Sequence, residues 1–305
     1  MNPASSAPAV EVRDLSRRFG RRLALDRVSL SVPPGAVLGL VGVNGSGKTT
    51  LLRHLLGLLA AQQGSVRVFG LDPVAHPVAV LSRVGSLCDD GDLPGWMRVG
   101  ELLRYTGSFY PSWDADYAGR LCRDFGLEQS QKVRSLSRGQ KARAGLVTAL
   151  AHRPDLLLLD EPSAGLDPLA RRDILAAVVR TAASEGRTVL FSSHLLDEVE
   201  RVADHIALLD EGRVVFAGPM DAVRDRHRRL TLRFAEPRQT PPALEGVLAW
   251  EGGGREWTAV CDGTPAGLTQ AAAAAGGRVV EEGVARLDEV FAAHADHRSR
   301  WSGEV

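Results

Sequence analysis

Net charge is the first thing this chain lacks. Across 305 residues, 37 lysines and arginines offset 37 aspartates and glutamates, so no overall field draws it to nucleic acid or acidic lipid. No nucleic-acid partner is expected on that ground. Cysteine is scarce, at Cys88, Cys122 and Cys261. The odd number, wide spacing and lack of a metal-ligand pattern exclude a disulfide framework and read as free thiols in a reducing compartment. Apolar runs are short: none approaches the ~18–20 residues that cross a bilayer as a helix. The N-terminus lacks the basic, apolar and small-residue succession of a secretory leader. Both lacks set the expectation of a soluble chain that reaches a membrane only through a partner. Lysine is nearly missing too, occurring only at Lys48, Lys132 and Lys141. A lysine kept at 48 among so many arginines points to a specific task.

That task is legible from its neighbours. Gly42-Val43-Asn44-Gly45-Ser46-Gly47-Lys48-Thr49-Thr50 fits the pattern of Gly, four residues, Gly-Lys-Thr that cradles phosphates. It follows the apolar run Val37–Val41 and precedes a helix-like Leu51–Leu56, which is the strand–loop–helix context the chemistry needs. Gly42, Gly45 and Gly47 let the backbone approach a phosphate, and successive N–H groups form an anion nest at a helix start. Lys48 reaches the β- and γ-phosphates of a nucleoside triphosphate, and the Thr49 hydroxyl suits Mg²⁺. ATP and Mg²⁺ are therefore the expected ligands.

Alternating and apolar segments predict strands at 10–13, 23–32, 65–69, 84–87, 156–159, 188–192, 205–209 and 213–216, with a hairpin at Asp210-Glu211-Gly212. Helical patterns cover 99–125, broken at Tyr110–Trp113, then 137–152, 168–185 and 195–202. Composition shifts near 228. The expected domains are 1–228, with a helical subdomain at about 88–152, and a small α/β unit at 229–305. In that unit Glu236–Pro242 and Gly252-Gly253-Gly254 read as loops between strand pieces at 230–234, 247–251 and 256–260. A helix at 267–275, a strand at 278–281 and a last helix at 285–297 complete it.

Two further stretches extend the chemistry. Leu156–Leu159 reads as a strand buried on both faces, and it delivers Asp160-Glu161 to its C-terminal end, where such sheets bind ligands. Asp160 would hold Mg²⁺ through its water shell and Glu161 would polarise an attacking water. Twenty residues upstream of that strand, Leu136-Ser137-Arg138-Gly139-Gln140 opens a helix with a hydroxyl and an unobstructed N–H at its positive end. An ordinary N-capped helix start has the same residues. As a second phosphate site it has no use within one chain, but two chains facing head to tail would each cap the other's nucleotide.

Over about 9–228 the order and spacing of these motifs resemble the ATP-binding subunit of an ABC transporter. The resemblance implies a P-loop α/β core with an antiparallel β subdomain and a helical signature subdomain. Phe19 matches the aromatic that stacks on adenine; Gly42 to Thr50 match Walker A; Leu136 to Gln140, including Ser137, Gly139 and Gln140, match the signature. Asp160 and Glu161 match Walker B and its carboxylate, Ser163–Asp167 the D-loop, and His194 the switch histidine that contacts the γ-phosphate. Arg138 stands where the family most often has glycine. Asp89 stands where the Q-loop glutamine belongs, and it is expected to serve the metal. Phe109–Trp113 and Leu287–Phe291 look like features of stand-alone exporter ATPases. The resemblance implies ATP hydrolysis, a second ATPase subunit (identical or a close paralogue), and a separate integral-membrane permease. The chain would then be cytoplasmic and peripheral on the inner face of the plasma membrane. An exposed Trp96 and Met97, in Leu93–Met97, would offer that permease a docking point. Rival readings are a soluble ABC ATPase acting on DNA or the ribosome, and a regulatory nucleotide module without turnover. Neutral charge and a single ATPase unit oppose the first; Glu161 and His194 oppose the second.

Overall fold

Apolar residues at alternate positions pair Val10–Phe19 (β1) with Arg22–Val32 (β2) in antiparallel fashion in the computed structural model, which describes residues 7–88 and 93–301. The sequence places Phe19 between two strands; it instead ends β1, opposite Arg22, with its ring 45% exposed. A core role for Phe19 is thereby ruled out. Val37–Val41 (β3) is buried at every position and feeds through the glycine-rich loop into helix Lys48–Leu55 (α1). Gln63–Val68 (β4) pairs with β1, giving a three-stranded sheet in the order β2-β1-β4.

A short helix, Pro77–Leu81 (α2), leads to Val84–Leu87 (β5). The helical stretch that follows divides as the Pro111 break requires, into Val99–Gly107 (α3) and Ala115–Asp124 (α4), before Arg138–Leu150 (α5). Asp114 caps α4 by accepting from Tyr117 N at 2.7 Å. That contact, with Arg153 beside it, holds the Asp114 carboxyl below its ordinary pKa.

Leu156–Leu159 (β6), helix Pro168–Glu185 (α6), Thr188–Ser193 (β7), helix Leu196–Val202 (α7), His205–Asp210 (β8) and Arg213–Pro219 (β9) complete the main sheet. Its order is β5-β6-β7-β3-β8-β9, and β5, β6, β7, β3 and β8 run parallel. The four leucines of β6 are all fully buried; burying a leucine side chain stabilises by about 1.5–3 kcal/mol. Parallel alignment brings the C-terminal ends of β3, β6 and β7 to one edge, which sets the site. Helix α7 lies tightly on β3 because position 39 is glycine: a methyl there would collide with Val199 Cγ1.

The chain divides into two compact units, Met1–Phe216 and Ala217–Val305. The division precedes the compositional shift near 228, since Met220–Arg226 (α8) packs on the first strand of the second unit. That unit holds His227–Arg238 (β10), Val247–Asp262 (β11), Pro265–Ala274 (α9), Gly277–Val284 (β12) and Leu287–Trp301 (α10). Its sheet is antiparallel in the order β11-β10-β12. The expectation of loops at 236–238 and 252–254 fails here. Both stretches continue their strands, with a register shift between Arg233 and Arg238. Gly252, at φ 113°, absorbs the irregularity, and a side chain there would meet Glu256 O at 2.6 Å.

Candidate nucleotide site

The loop between β3 and α1 lines a cavity of about 380 Å³ with Phe19, Arg22, Ala24, Asn44, Gly45, Gly47, Lys48, Thr49, Thr50 and Glu161. Helix α1 has no side-chain cap at Gly47, whose φ is 112°. Its first-turn N–H groups, which have no partner inside a helix, are left to a ligand. Any larger residue at 47 would bring its Cβ to 2.6 Å from Ala24 O. The cradle is thus shaped for an anion approached by backbone. Arg22 donates to Gly45 O at 2.8 Å and steadies the loop from the β2 side.

Lys48 is buried, and its ammonium donates to Gly42 O at 2.6 Å and to Val43 O at 3.2 Å. It also lies 3.1 Å from Glu161 Oε1. The other oxygen of Glu161 lies 2.7 Å from His194 Nδ1. Glu161 therefore bridges an ammonium and an imidazole at the mouth of the phosphate cradle. Its backbone sits at φ 46°, a left-handed conformation that costs a non-glycine residue about 1–3 kcal/mol and gathers at functional sites. His194 precedes α7 without capping it, since the capping position is Leu195.

Two serines at the end of β7 organise the carboxylates around this bridge. Side chains alternate along a strand, so Ser192 and Ser193 serve opposite faces. Ser192 Oγ donates to Asp160 Oδ1 at 2.6 Å and accepts from Glu161 N at 2.8 Å. Asp160 is 3% exposed. Ser193 and Ser163 both donate to Glu198 Oε2, at 3.2 and 2.5 Å. Sequence reasoning placed Ser163 in the 163–167 turn but missed Ser192, Ser193 and Glu198 as site residues. The signal was there for the two serines of β7: their hydroxyls follow directly on the apolar run Val189-Leu190-Phe191.

The residues present fit a divalent ion as well as a triphosphate. Asp160 and the exposed Thr49 hydroxyl are hard oxygen donors, the set Mg²⁺ takes alongside phosphate oxygens. Asp89 lies outside the described residues. Ser137 caps α5, accepting from Gln140 N at 3.2 Å while Gln140 Oε1 accepts from Ser137 N at 3.0 Å. The Ser137 O–H remains a donor for a further acceptor. Ser137, Gly139 and Gln140 are not among the residues lining the cavity around Lys48. Arg138 lines a neighbouring cavity of about 410 Å³ with Lys141, Asp160 and Glu161. Its guanidinium lies against Gly165 of the Ser163–Asp167 turn, where a methyl would come 2.7 Å from Cζ. Asp167 closes that turn by capping α6. The N–H groups of Ala170 and Leu169 hold its carboxyl below the usual range. Trp96 is 73% exposed, but Met97, expected beside it at the surface, is 6% exposed and belongs to the core.

Comparison with known proteins points the same way. The ABC transporter family model matches residues 25–164. The bacitracin transport ATP-binding protein BcrA of Bacillus licheniformis is 31% identical over 225 residues, covering 72% of each chain. The ABC transporter ATP-binding protein NatA of Bacillus subtilis (strain 168) is 32% identical over 235 residues, covering 74% of this chain and 95% of that one. The solved structure of an ATP-binding subunit of an ABC transporter has a TM-score of 0.65 and 30% identity, covering 71% of this chain and 92% of that one.

Proposed function

The chain belongs to the ABC transporter family as an ATP-binding, ATP-hydrolysing subunit, and from that premise we propose how its residues divide the work. The observation that carries the proposal is Glu161 bridging Lys48 and His194 at the phosphate cradle. In this arrangement the ammonium is satisfied by the chain's own oxygens, and Glu161 is held between two cationic or proton-bearing partners. A γ-phosphate entering the cradle would compete for Lys48 and draw it away from Glu161. Released on that side, the carboxylate orients a water and accepts its proton as the water attacks the γ-phosphorus and the bond to the bridging oxygen breaks, giving phosphate and ADP. His194, hydrogen-bonded to Glu161, would contact the γ-phosphate. Phe19, exposed at the rim, would stack on adenine. Gly42, Asn44, Gly45, Ser46, Gly47 and Thr50 complete the loop around the phosphates. Mg²⁺, when bound, would neutralise phosphate charge, and Thr49 and Asp160 are the residues proposed to hold it.

Ser137, Gly139 and Gln140 line no wall of the chain's own phosphate cavity, which supports a head-to-tail pair in which α5 of each chain meets the other's nucleotide. The second chain is an identical copy or a close paralogue. Among the described residues no helix is long and apolar enough to cross a membrane. ABC ATP-binding subunits work with membrane permeases, and the exposed Trp96 is where we place that contact. Export is the proposed direction, on the likeness to stand-alone exporter ATPases, and the inner face of the plasma membrane is the proposed location. The residues beyond 228 are proposed to be an accessory domain.

Glu161→Gln tests the reading. Its amide cannot accept a proton, so phosphate release should fall by about a hundredfold or more while nucleotide titration shows retained binding. Turnover at the parent rate would remove Glu161 from the reaction.

A further inference from the structure

Helix α7 carries a carboxylate that none of the sequence motifs explains. Glu198 is 1% exposed. Its Oε2 accepts from Ser163 at 2.5 Å and from Ser193 at 3.2 Å, and Arg171 Nε lies 3.1 Å from Oε1. Removing a carboxylate from water costs several kcal/mol even after relaxation. Two hydroxyl donors on Oε2 and the charge of Arg171 beside Oε1 offset that cost here. The close packing of α7 on Gly39 keeps the carboxylate within their reach.

Its partners sit beside the hydrolytic groups rather than among them. Ser163 is two residues beyond Glu161 and opens the 163–167 turn; Ser193 directly precedes His194. The Glu161–His194 hydrogen bond closes the circuit on the other side at 2.7 Å. One buried carboxylate therefore clasps the backbone downstream of Glu161 to the backbone upstream of His194. We propose that Glu198 is a positioning residue of the hydrolytic site: through Ser163 and Ser193 it fixes Glu161, His194 and the 163–167 turn as one unit. Glu198, Ser163 and Ser193 are not among the residues that line the cradle, and the clasp meets it only through Glu161, 3.1 Å from Lys48, so its effect falls on turnover far more than on nucleotide binding. An ion pair serving only to hold α6 to α7 would change stability without this separation.

The inference rests on the hydrolytic site proposed above, and Glu161→Gln measured alongside separates the two. Phosphate release and nucleotide titration are compared for the parent, Glu198→Ala, Glu198→Gln, Ser163→Ala and the Glu198→Ala/Ser163→Ala pair. Misplacing a reacting group by a fraction of an ångström to an ångström costs up to about a hundredfold. Glu198→Ala should therefore lower kcat by about ten- to a hundredfold, with nucleotide affinity changed by no more than about twofold. Glu198→Gln keeps an oxygen for both serines and should recover most of the rate. Because Glu198 acts through Ser163, the double variant should be no slower than Glu198→Ala alone. Parent kcat in Glu198→Ala, equal loss of kcat and affinity, or additive losses in the double variant would each overturn the proposal. If Glu198→Ala does not fold, Ser163→Ala decides: slowed turnover with intact affinity supports the clasp, and parent turnover removes it. If instead Glu161→Gln turns over at the parent rate, the site itself is misassigned, whatever Glu198 does.

Discussion

The two units bury polar groups in different ways. In the second unit only His227 and Thr231 are buried polar residues among those described, and its charges pair at the surface. Arg233 meets Glu256 at 2.8 Å and Arg229 meets Glu289 at 3.3 Å; exposed pairs of this kind contribute about 0–1 kcal/mol. Its stability comes from an apolar core around Leu230, Leu232, Phe234, Trp257 and Leu268. In the first unit the buried polar residues described are Ser16, His54, His152, Thr188 and a group of seven, Ser46, Lys48, Asp160, Ser163, Ser192, Ser193 and Glu198, that gathers at one end of the main sheet. Both number and position separate the units. Buried polarity costs stability unless every group is satisfied, and the first unit carries that cost where phosphate chemistry takes place.

Core truncation breaks the comparison hardest. Leu157→Ala in the first unit and Leu232→Ala in the second should each cost about 2–5 kcal/mol. Only the first should take ATP turnover with it; hydrogen exchange mapped on each unit, beside phosphate release, reads both effects. Equal loss of turnover from Leu232→Ala would show that the second unit is needed for the chemistry.

Lys48→Ala comes next. Loss of a charge-assisted contact is worth about 1.5–3 kcal/mol, so nucleotide affinity should fall about ten- to a hundredfold. Arg226→Ala, which removes a surface pair with Asp262 in the second unit, should leave it unchanged. Unaltered affinity in Lys48→Ala, followed by isothermal titration, would sink the cradle assignment.

Much of this was legible because it is contiguous. Gly42 to Thr50 is a single run of sequence whose residue types each answer to a phosphate, and the all-leucine β6 announces a buried parallel strand before its carboxylates. The network behind them was not legible, because its contacts span long separations. Ser163 and Glu198 are 35 residues apart, and Glu161 N and Ser192 Oγ are 31 apart. A lone glutamate on a short helix reads as solvated until α7 is seated on Gly39. In the second unit, consecutive glycines read as a loop because composition alone does not distinguish a bulged strand from a turn. The first unit also hid a packing reason for glycine 139. A methyl there would come 2.9 Å from Ala170 Cβ, so its absence serves the chain's own α6 as well as any phosphate.

A smaller effect should appear with pH. Burial lowers the pKa of both His54 and His152 from an ordinary value of 6.5. A histidine with a lowered folded-state pKa binds its proton better in the unfolded chain. Its contribution is therefore intact above pH 6.5 and lost as pH falls toward the folded-state value. Thermal melts between pH 7.5 and 5 should show the first unit weakening with acidity, and His152→Gln should flatten that slope. A slope unchanged by the substitution would place the pH sensitivity elsewhere.

The mildest test uses the thiols. Burial pushes Cys261 up to about 12 and also raises Cys122, while Cys88 is only partly buried. A thiol-specific reagent at pH 8 should modify Cys88 first and Cys261 only on unfolding. Early modification of Cys261 would mean that the second unit opens more readily than its core implies.

Arg138 and Gly165 carry a consequence for how relatives diverge. Two constraints of different hardness meet at 165: a backbone at φ 65°, which favours glycine whatever its neighbours, and the guanidinium of exposed Arg138 in the space a side chain would need. The arginine can swing aside; the backbone angle stays. Lineages should therefore vary at 138 while keeping glycine at 165, although only 27 residues separate the two positions in sequence.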